Sequence, residues 1–259
     1  MFLEYPFDYA IVFILGTLFG SFANVCIYRL PQRLSLIFPG SHCPSCQEAL
    51  RPWHNIPLLS YLMLRGYCAM CKTAISPRYP LIELSNGLLY IFLYHQYHLS
   101  LQTVVFALLA TSLLIVSCID IAYTIIPDAI TLPGIVVGMC TSIWLTPIGI
   151  HNALLGVVLG GGLFLLMAVL SVIILKREGM GGGDIKLIAM LGAFLGWHAI
   201  LVTIFLAAAL GACVGLILIF LRRKERREPL PFGPFLALGA LLAMVWGDTI
   251  LTWYVSHSL

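Results

Sequence analysis

The sequence predicts an all-α polytopic membrane protein of about eight transmembrane helices, with one small cytoplasmic zinc-binding domain between the first helix and the second. Three observations carry this. The 259-residue chain is 61% apolar and 10% charged, with mean hydropathy +1.01, whereas a soluble domain carries about 25% charged residues. Apolar stretches of about 20 residues, the length needed to cross a 30 Å hydrocarbon core, recur along it. All 14 Lys and Arg residues fall in three stretches, 29–80, 176–186 and 222–230.

The spans lie near 9–28, 81–98, 101–119, 129–147, 152–175, 185–197, 199–221 and 235–254. Glu4 and Asp8 stand before the first, where a cleavable signal carries a basic flank, so this helix is expected to stay. Residues 185–221 as one helix would measure about 55 Å, too long for a single crossing. Lys176 and Lys186 should share a side with the Arg222–Arg227 cluster under the positive-inside rule, so an even number of crossings separates them. A turn near Gly196-Trp197-His198 satisfies that. With the N-terminus outside, residues 29–80, 120–128, 176–186 and 222–230 face the cytoplasm. The organisation is then a first transmembrane helix in 1–28, a cytoplasmic four-cysteine domain in 29–80 and a seven-helix membrane core in 81–259. Gly16/Gly20, Gly156/Gly160 and Gly211/Gly215 are small residues four apart, a spacing that lets helices approach closely in lipid. No internal repeat is evident.

Residues 29–80 form the one sizeable polar insertion. They hold Cys43-Pro44-Ser45-Cys46 and Cys68-Ala69-Met70-Cys71. Two such knuckles supply the four soft ligands of tetrahedral zinc, and a stretch with so little apolar core needs a staple. A reducing cytoplasm argues against disulfides. Cys43, Cys46, Cys68 and Cys71 are therefore the expected ligands of a structural zinc ion. His42 and His54 are surplus to a four-thiolate shell and read as surface loop residues. Cys26, Cys118, Cys140 and Cys213 lie in apolar runs and read as buried small hydrophobes.

Chemistry points to the acids. Gly179-Met180-Gly181-Gly182-Gly183-Asp184-Ile185-Lys186 places a carboxylate at a membrane edge behind four glycines, more than a helix cap requires. Asp120 ends another apolar run, where the helix dipole disfavours an anion. Asp128 follows Pro127 and reads as a helix N-cap, and Glu83 as an ordinary first-turn acid. Two aspartates at one depth form a candidate two-carboxylate hydrolytic site. Close together they share one proton, so that one takes a proton from water and the other gives one to a scissile carbonyl. No Ser-His pairing, His-Glu-x-x-His or nucleotide loop competes, and no nucleic acid partner is expected.

Gly181-Gly182-Gly183-Asp184 resembles the Gly-x-Gly-Asp signature of membrane aspartyl proteases. The longer resemblance is to the type IV prepilin peptidases. It runs through Gly20-Ser21-Phe22-Ala23-Asn24-Val25, Tyr28-Arg29-Leu30-Pro31, the two cysteine knuckles, Tyr79-Pro80-Leu81-Ile82-Glu83, Asp120 to Ile126-Pro127-Asp128, and Glu178 to Leu187. It implies that Asp120 and Asp184 are the catalytic pair of a membrane peptidase core. It further implies prepilin and pseudopilin substrates with a short basic leader, and S-adenosylmethionine as donor for N-methylation of the new N-terminus. The expected place is the bacterial cytoplasmic (inner) membrane, within the lipid bilayer, with the site at the cytoplasmic face. There Glu178, Glu83 and Asp128 would attract the leader. No Gly-x-Gly-x-x-Gly follows a strand, so methyl transfer rests on the resemblance alone. The rival readings are an ion-coupled carrier and a non-catalytic assembly scaffold.

Overall fold

The computed structural model describes residues 6–144, 147–176, 179–221 and 230–258. Among them the chain is helical: α1 (Pro6–Arg29), α2 (Leu59–Met63), α3 (Arg78–Tyr97), α4 (Leu101–Tyr123), α5 (Asp128–Trp144), α6 (Ile150–Leu170), α7 (Gly182–Phe220) and α8 (Gly233–Ser258). A 3₁₀ turn spans Pro52–His54, and a π turn, Ser171–Leu175, extends α6. Five helices are long and apolar enough to cross a bilayer: α1, α4, α6, α7 and α8. α5 has 17 residues. α3 buries Glu83, Asn86, Tyr90 and Tyr94 along one side, which lowers its hydropathy. The Arg222–Arg227 cluster and Glu178 lie outside the described residues.

The chain divides into two compact units, Met1–Ile115 and Val116–Leu259, with the boundary inside α4. In the first, α1 packs on α3. Gly16 and Gly20 make this possible: a Cβ on Gly20 would stand 2.7 Å from the Glu83 Cα, and one on Gly16 2.8 Å from the Gly87 Cα. The Asn86 amide donates to the Gly16 carbonyl at 2.8 Å, and Thr111 donates to the Asn86 oxygen at 3.0 Å. These bonds satisfy polar groups where no water reaches.

In the second unit α7 is the axle, flanked by α5, α6 and α8. Every residue from Leu187 to Gly196 is buried, as expected for a helix apolar all round and enclosed on all sides. Gly196 breaks the helix, at φ 77° and ψ 174°, where the turn was expected. Gly156 and Gly192 bring α6 and α7 into backbone contact, since a Cβ on either would overlap the other's main chain. Gly211 and Gly215 have looser surroundings, with side chains no nearer than 3.3 Å to a built Cβ. Leu154, Val158, Leu165 and Leu166 of α6 are exposed, a surface suited to acyl chains. The same reason corrects the reading of two cysteines: Cys140 and Cys213 are exposed, because in lipid an apolar run need not turn every side chain inward.

Gly192→Leu should prevent α6 and α7 from closing, because no side-chain motion relieves a clash with backbone; overpacking of this kind costs about 1–3 kcal/mol or more. Gly162→Leu should be tolerated, since a Cβ there meets nothing within 4 Å. Size-exclusion profiles and melting temperatures in detergent check the pair.

Candidate active site

Asp184 is the third residue of α7, behind the N-cap Gly181. Its amide donates to the Gly181 carbonyl at 3.1 Å, which folds the first turn and aims the carboxylate back over the glycines. Gly181 leaves room for it, since a Cβ there would lie 3.2 Å from Asp184 Oδ2. Gly183 makes room for the Ile126 side chain instead, because a Cβ there would come within 2.8 Å of the Ile126 Cβ. It lets the α4–α5 connection lie against the start of α7.

Asp120 lies just ahead of that connection. α4 continues past the expected end to Tyr123, so Asp120 sits within the last turn and is 5% exposed. The adverse position at a helix C-terminus is compensated from elsewhere. The amide of Gly233, first residue of α8, donates to Asp120 Oδ2 at 2.9 Å, and a helix N-terminus favours an anion. Thr124 follows with φ 53° and donates its amide to the Asp120 carbonyl at 2.8 Å. A β-branched residue in the left-handed region is strained backbone, and it turns the chain sharply just after the carboxylate.

Both sequence-predicted acids lie in the second unit, near enough for the charge of Asp120 to act on Asp184. Asp184 Oδ1 is buried and has no hydrogen-bond partner among the described residues. A buried oxygen left without a donor calls for water or a ligand.

Asp128 departs from expectation. It stands in the first turn of α5, and the amides of Ile130 and Thr131 reach the Pro127 carbonyl. Its carboxylate takes Lys186 Nζ on both oxygens, at 2.7 and 2.8 Å. A neutralised Asp128 is a poor attractor for a basic leader, and Glu83 is buried; those expectations fail on pairing and burial. Lys186 and Asp128 are 40% and 54% exposed, so Lys186→Met should cost no more than about 1 kcal/mol in a denaturation experiment.

Gly233 escaped sequence reasoning. The available signal was a glycine between Phe232 and Pro234, ahead of the last apolar run. A Cβ there would stand 2.8 Å from Asp120 Oδ2. Gly233→Ala should displace the carboxylate and lower kcat by about 10²-fold, the scale of a 1 Å misplacement, with KM little changed; steady-state kinetics separate the two.

The first unit holds the two cysteine knuckles. Cys43, Cys46, Cys68 and Cys71 place their sulfurs within 4.8 Å of one another. All are free thiols. Sulfurs bound at about 2.3 Å to a tetrahedral ion stand about 3.8 Å apart, and Cys43 Sγ lies 3.8 Å from Cys71 Sγ. The donor set fits one metal ion. The two knuckles also prove to be one unit built twice, contrary to the absence of repeats expected above. The Cys43 amide donates to the Glu48 carbonyl and the Cys68 amide to Thr73, while Gln47 and Lys72 occupy positive φ and return their amides to Cys43 and Cys68. The Thr73 hydroxyl and amide draw the Cys71 thiol down to about 6, while burial and the neighbouring sulfurs of Cys43 and Cys71 push Cys46 up to about 11, so the four sulfurs share their negative charge unequally. His42 and His54, expected on the surface, are half-buried.

Comparison with known proteins agrees in both units. Residues 14–97 match the bacterial peptidase A24 N-terminal domain, and residues 107–216 match the type IV leader peptidase family. A prepilin leader peptidase/N-methyltransferase of Stutzerimonas stutzeri is 38% identical, covering 95% of this chain and 93% of that one. Its counterpart in Pseudomonas aeruginosa is 37% identical, covering 95% and 92%. One from Aeromonas salmonicida is 34% identical, covering 97% and 95%. No solved structure matches.

Proposed function

The chain belongs to the type IV leader peptidase family, and on that premise we propose that Asp120 and Asp184 are the aspartyl pair with which it removes the leader of a prepilin. The protein is a prepilin-processing protease that also N-methylates, as its relatives are named. That likeness over nearly the whole chain removes the carrier and scaffold readings. The observation that carries the residue assignment is the buried, unpartnered Oδ1 of Asp184 beside Asp120.

The chemistry follows from the geometry. The Gly233 amide and the α8 N-terminus support negative charge on Asp120. The shared proton then resides toward Asp184. A water between them gives a proton to the ionised carboxylate as its oxygen attacks the scissile carbonyl carbon. The protonated carboxyl donates to the carbonyl oxygen, forming a tetrahedral diol. Collapse of the diol returns one hydroxyl proton to the carboxylate that had donated, re-forms the carbonyl and breaks the C–N bond, and the leaving amine takes the proton acquired from the water.

The protein is a multi-pass inner-membrane protein. Eight crossings with the N-terminus outside would put the pair at the cytoplasmic boundary, where a basic leader joins its apolar helix; the helix break at Gly196 and the placement of all 14 Lys and Arg support this. Cys43, Cys46, Cys68 and Cys71 would hold a structural zinc ion, whose sole contribution is to fix the two knuckles. S-adenosylmethionine is the methyl donor for the newly exposed N-terminus of pilins or type II pseudopilins.

Purified protein incubated with a prepilin and followed by mass spectrometry tests the reading. Leader loss together with the added mass of one methylene is expected. An intact prepilin after prolonged incubation with folded enzyme would refute it.

A further inference from the structure

A cavity of about 390 Å³ opens in the first unit between the start of α3, the end of α1 and the cysteine knuckles, within the ~300–1,000 Å³ typical of small-molecule sites. Its wall includes Ser21, Tyr28, Arg29, Tyr61, Tyr79 and Glu83. Two of these are charged and almost wholly buried: Glu83 is 8% exposed and Arg29 6%.

Their charges are disposed differently. The Arg29 guanidinium donates to the carbonyls of Ser35 at 2.8 Å, Pro39 at 2.6 Å and Gly40 at 3.3 Å. It is consumed in holding the loop after α1. Glu83 accepts the Leu58 amide at 2.8 Å and a hydrogen bond from Ser21, yet it forms no ion pair among the described residues. A buried carboxylate without a cation is costly. Leu58 itself is held at φ 61° and ψ −50°, a strained conformation for a residue with a Cβ, of the kind that clusters at ligand clamps. Among the described residues, then, no cation pairs with the carboxylate in this wall.

Aromatic rings complete the wall. Tyr28, Tyr61 and Tyr79 offer π faces that attract cations and stack on flat heterocycles. Cys43 and Cys68 line it as well, so the cysteine knuckles help to shape the site.

We propose that this cavity is the methyl-donor site, with Glu83 as counter-charge to the cationic donor; this rests on the N-methyltransferase reading above. The tyrosines and the carboxylate fit a ligand that joins a flat base to a positive centre, as S-adenosylmethionine does. In the transfer, the lone pair of the neutral N-terminal amine forms the new N–CH₃ bond while the S–CH₃ pair returns to sulfur. The sulfonium becomes a neutral thioether and the amine a secondary ammonium. The proton that the amine shed beforehand passes to bulk water. Glu83 binds and orients; it takes no proton in this scheme.

Equilibrium dialysis of full-length protein in detergent with methyl-tritiated S-adenosylmethionine tests it. Glu83→Gln should weaken binding by about tenfold or more, the scale of a lost charge-assisted contact, while melting temperature and monodispersity report that the variant folds. Unchanged affinity in a folded variant would overturn the proposal. Ultraviolet cross-linking of the same ligand to the wild-type protein needs no variant. Label recovered in peptides from residues 21–83 supports the site, and label confined to residues 116–259 overturns it. A wild-type protein that methylates but is labelled elsewhere refutes this site alone; one that neither binds the donor nor methylates refutes the N-methyltransferase reading with it.

Discussion

Asp184→Asn and Asp120→Asn should each lower kcat for leader removal by about 10³-fold or more, since positioned acid–base groups contribute about 10²–10⁴. Neither change should unfold the protein. Asp184 Oδ1 has no partner to lose among the described residues, and asparagine at 120 keeps an oxygen for the Gly233 amide. The double variant should be no slower than the worse single one, because groups acting as a unit are not additive. A synthetic peptide that already carries the mature N-terminus should still be methylated by both variants. Cleavage within tenfold of wild type by either folded variant would remove that residue from the chemistry.

The second large effect is on the cysteine knuckles. Among the described residues between 30 and 77, the buried hydrophobic side chains are Cys43 and Cys68 themselves. Nothing else in this stretch can supply an apolar core, so its order depends on what the sulfurs bind. Zinc contributes about 10–16 kcal/mol of apparent free energy in small metal-folded domains at pH 7. Cys43→Ser or Cys68→Ser should abolish metal content by atomic spectroscopy and strip hydrogen-exchange protection from the amides of 42–49 and 67–74. Amides of α7 from Leu187 to Leu195 should stay protected. A variant that lost the metal but kept the protection would show that the knuckles fold without it.

What could be read from sequence and what could not follows from the range of the interactions. Span positions came from hydropathy, and the turn at Gly196 came from an axial length that one bilayer cannot hold. Asp120 and Asp184 stood out because each is costly where it lies. The partners of those acids were hidden by chain distance: Gly233 reaches Asp120 across 113 residues, and Lys186 claims Asp128 across 58. The cap reading of Asp128 failed because a lysine on another helix offered more than its own backbone did. The repeat in the knuckles was missed because it lives in backbone hydrogen bonds and positive φ at Gln47 and Lys72, while the side chains around the cysteines differ. Cys140 and Cys213 are exposed because the rule that apolar runs turn inward belongs to water-soluble cores. Leu58, strained against Glu83, left no trace in the sequence, since any residue can be forced to donate its amide.

The most direct measurement is an experimental structure of the full-length enzyme with a peptide whose scissile amide is replaced by a hydroxyl-bearing isostere. That hydroxyl should sit between Asp120 and Asp184, within about 2.6–3.2 Å of a carboxyl oxygen of each. An inhibitory isostere bound with its hydroxyl beyond reach of either carboxyl group would contradict the account.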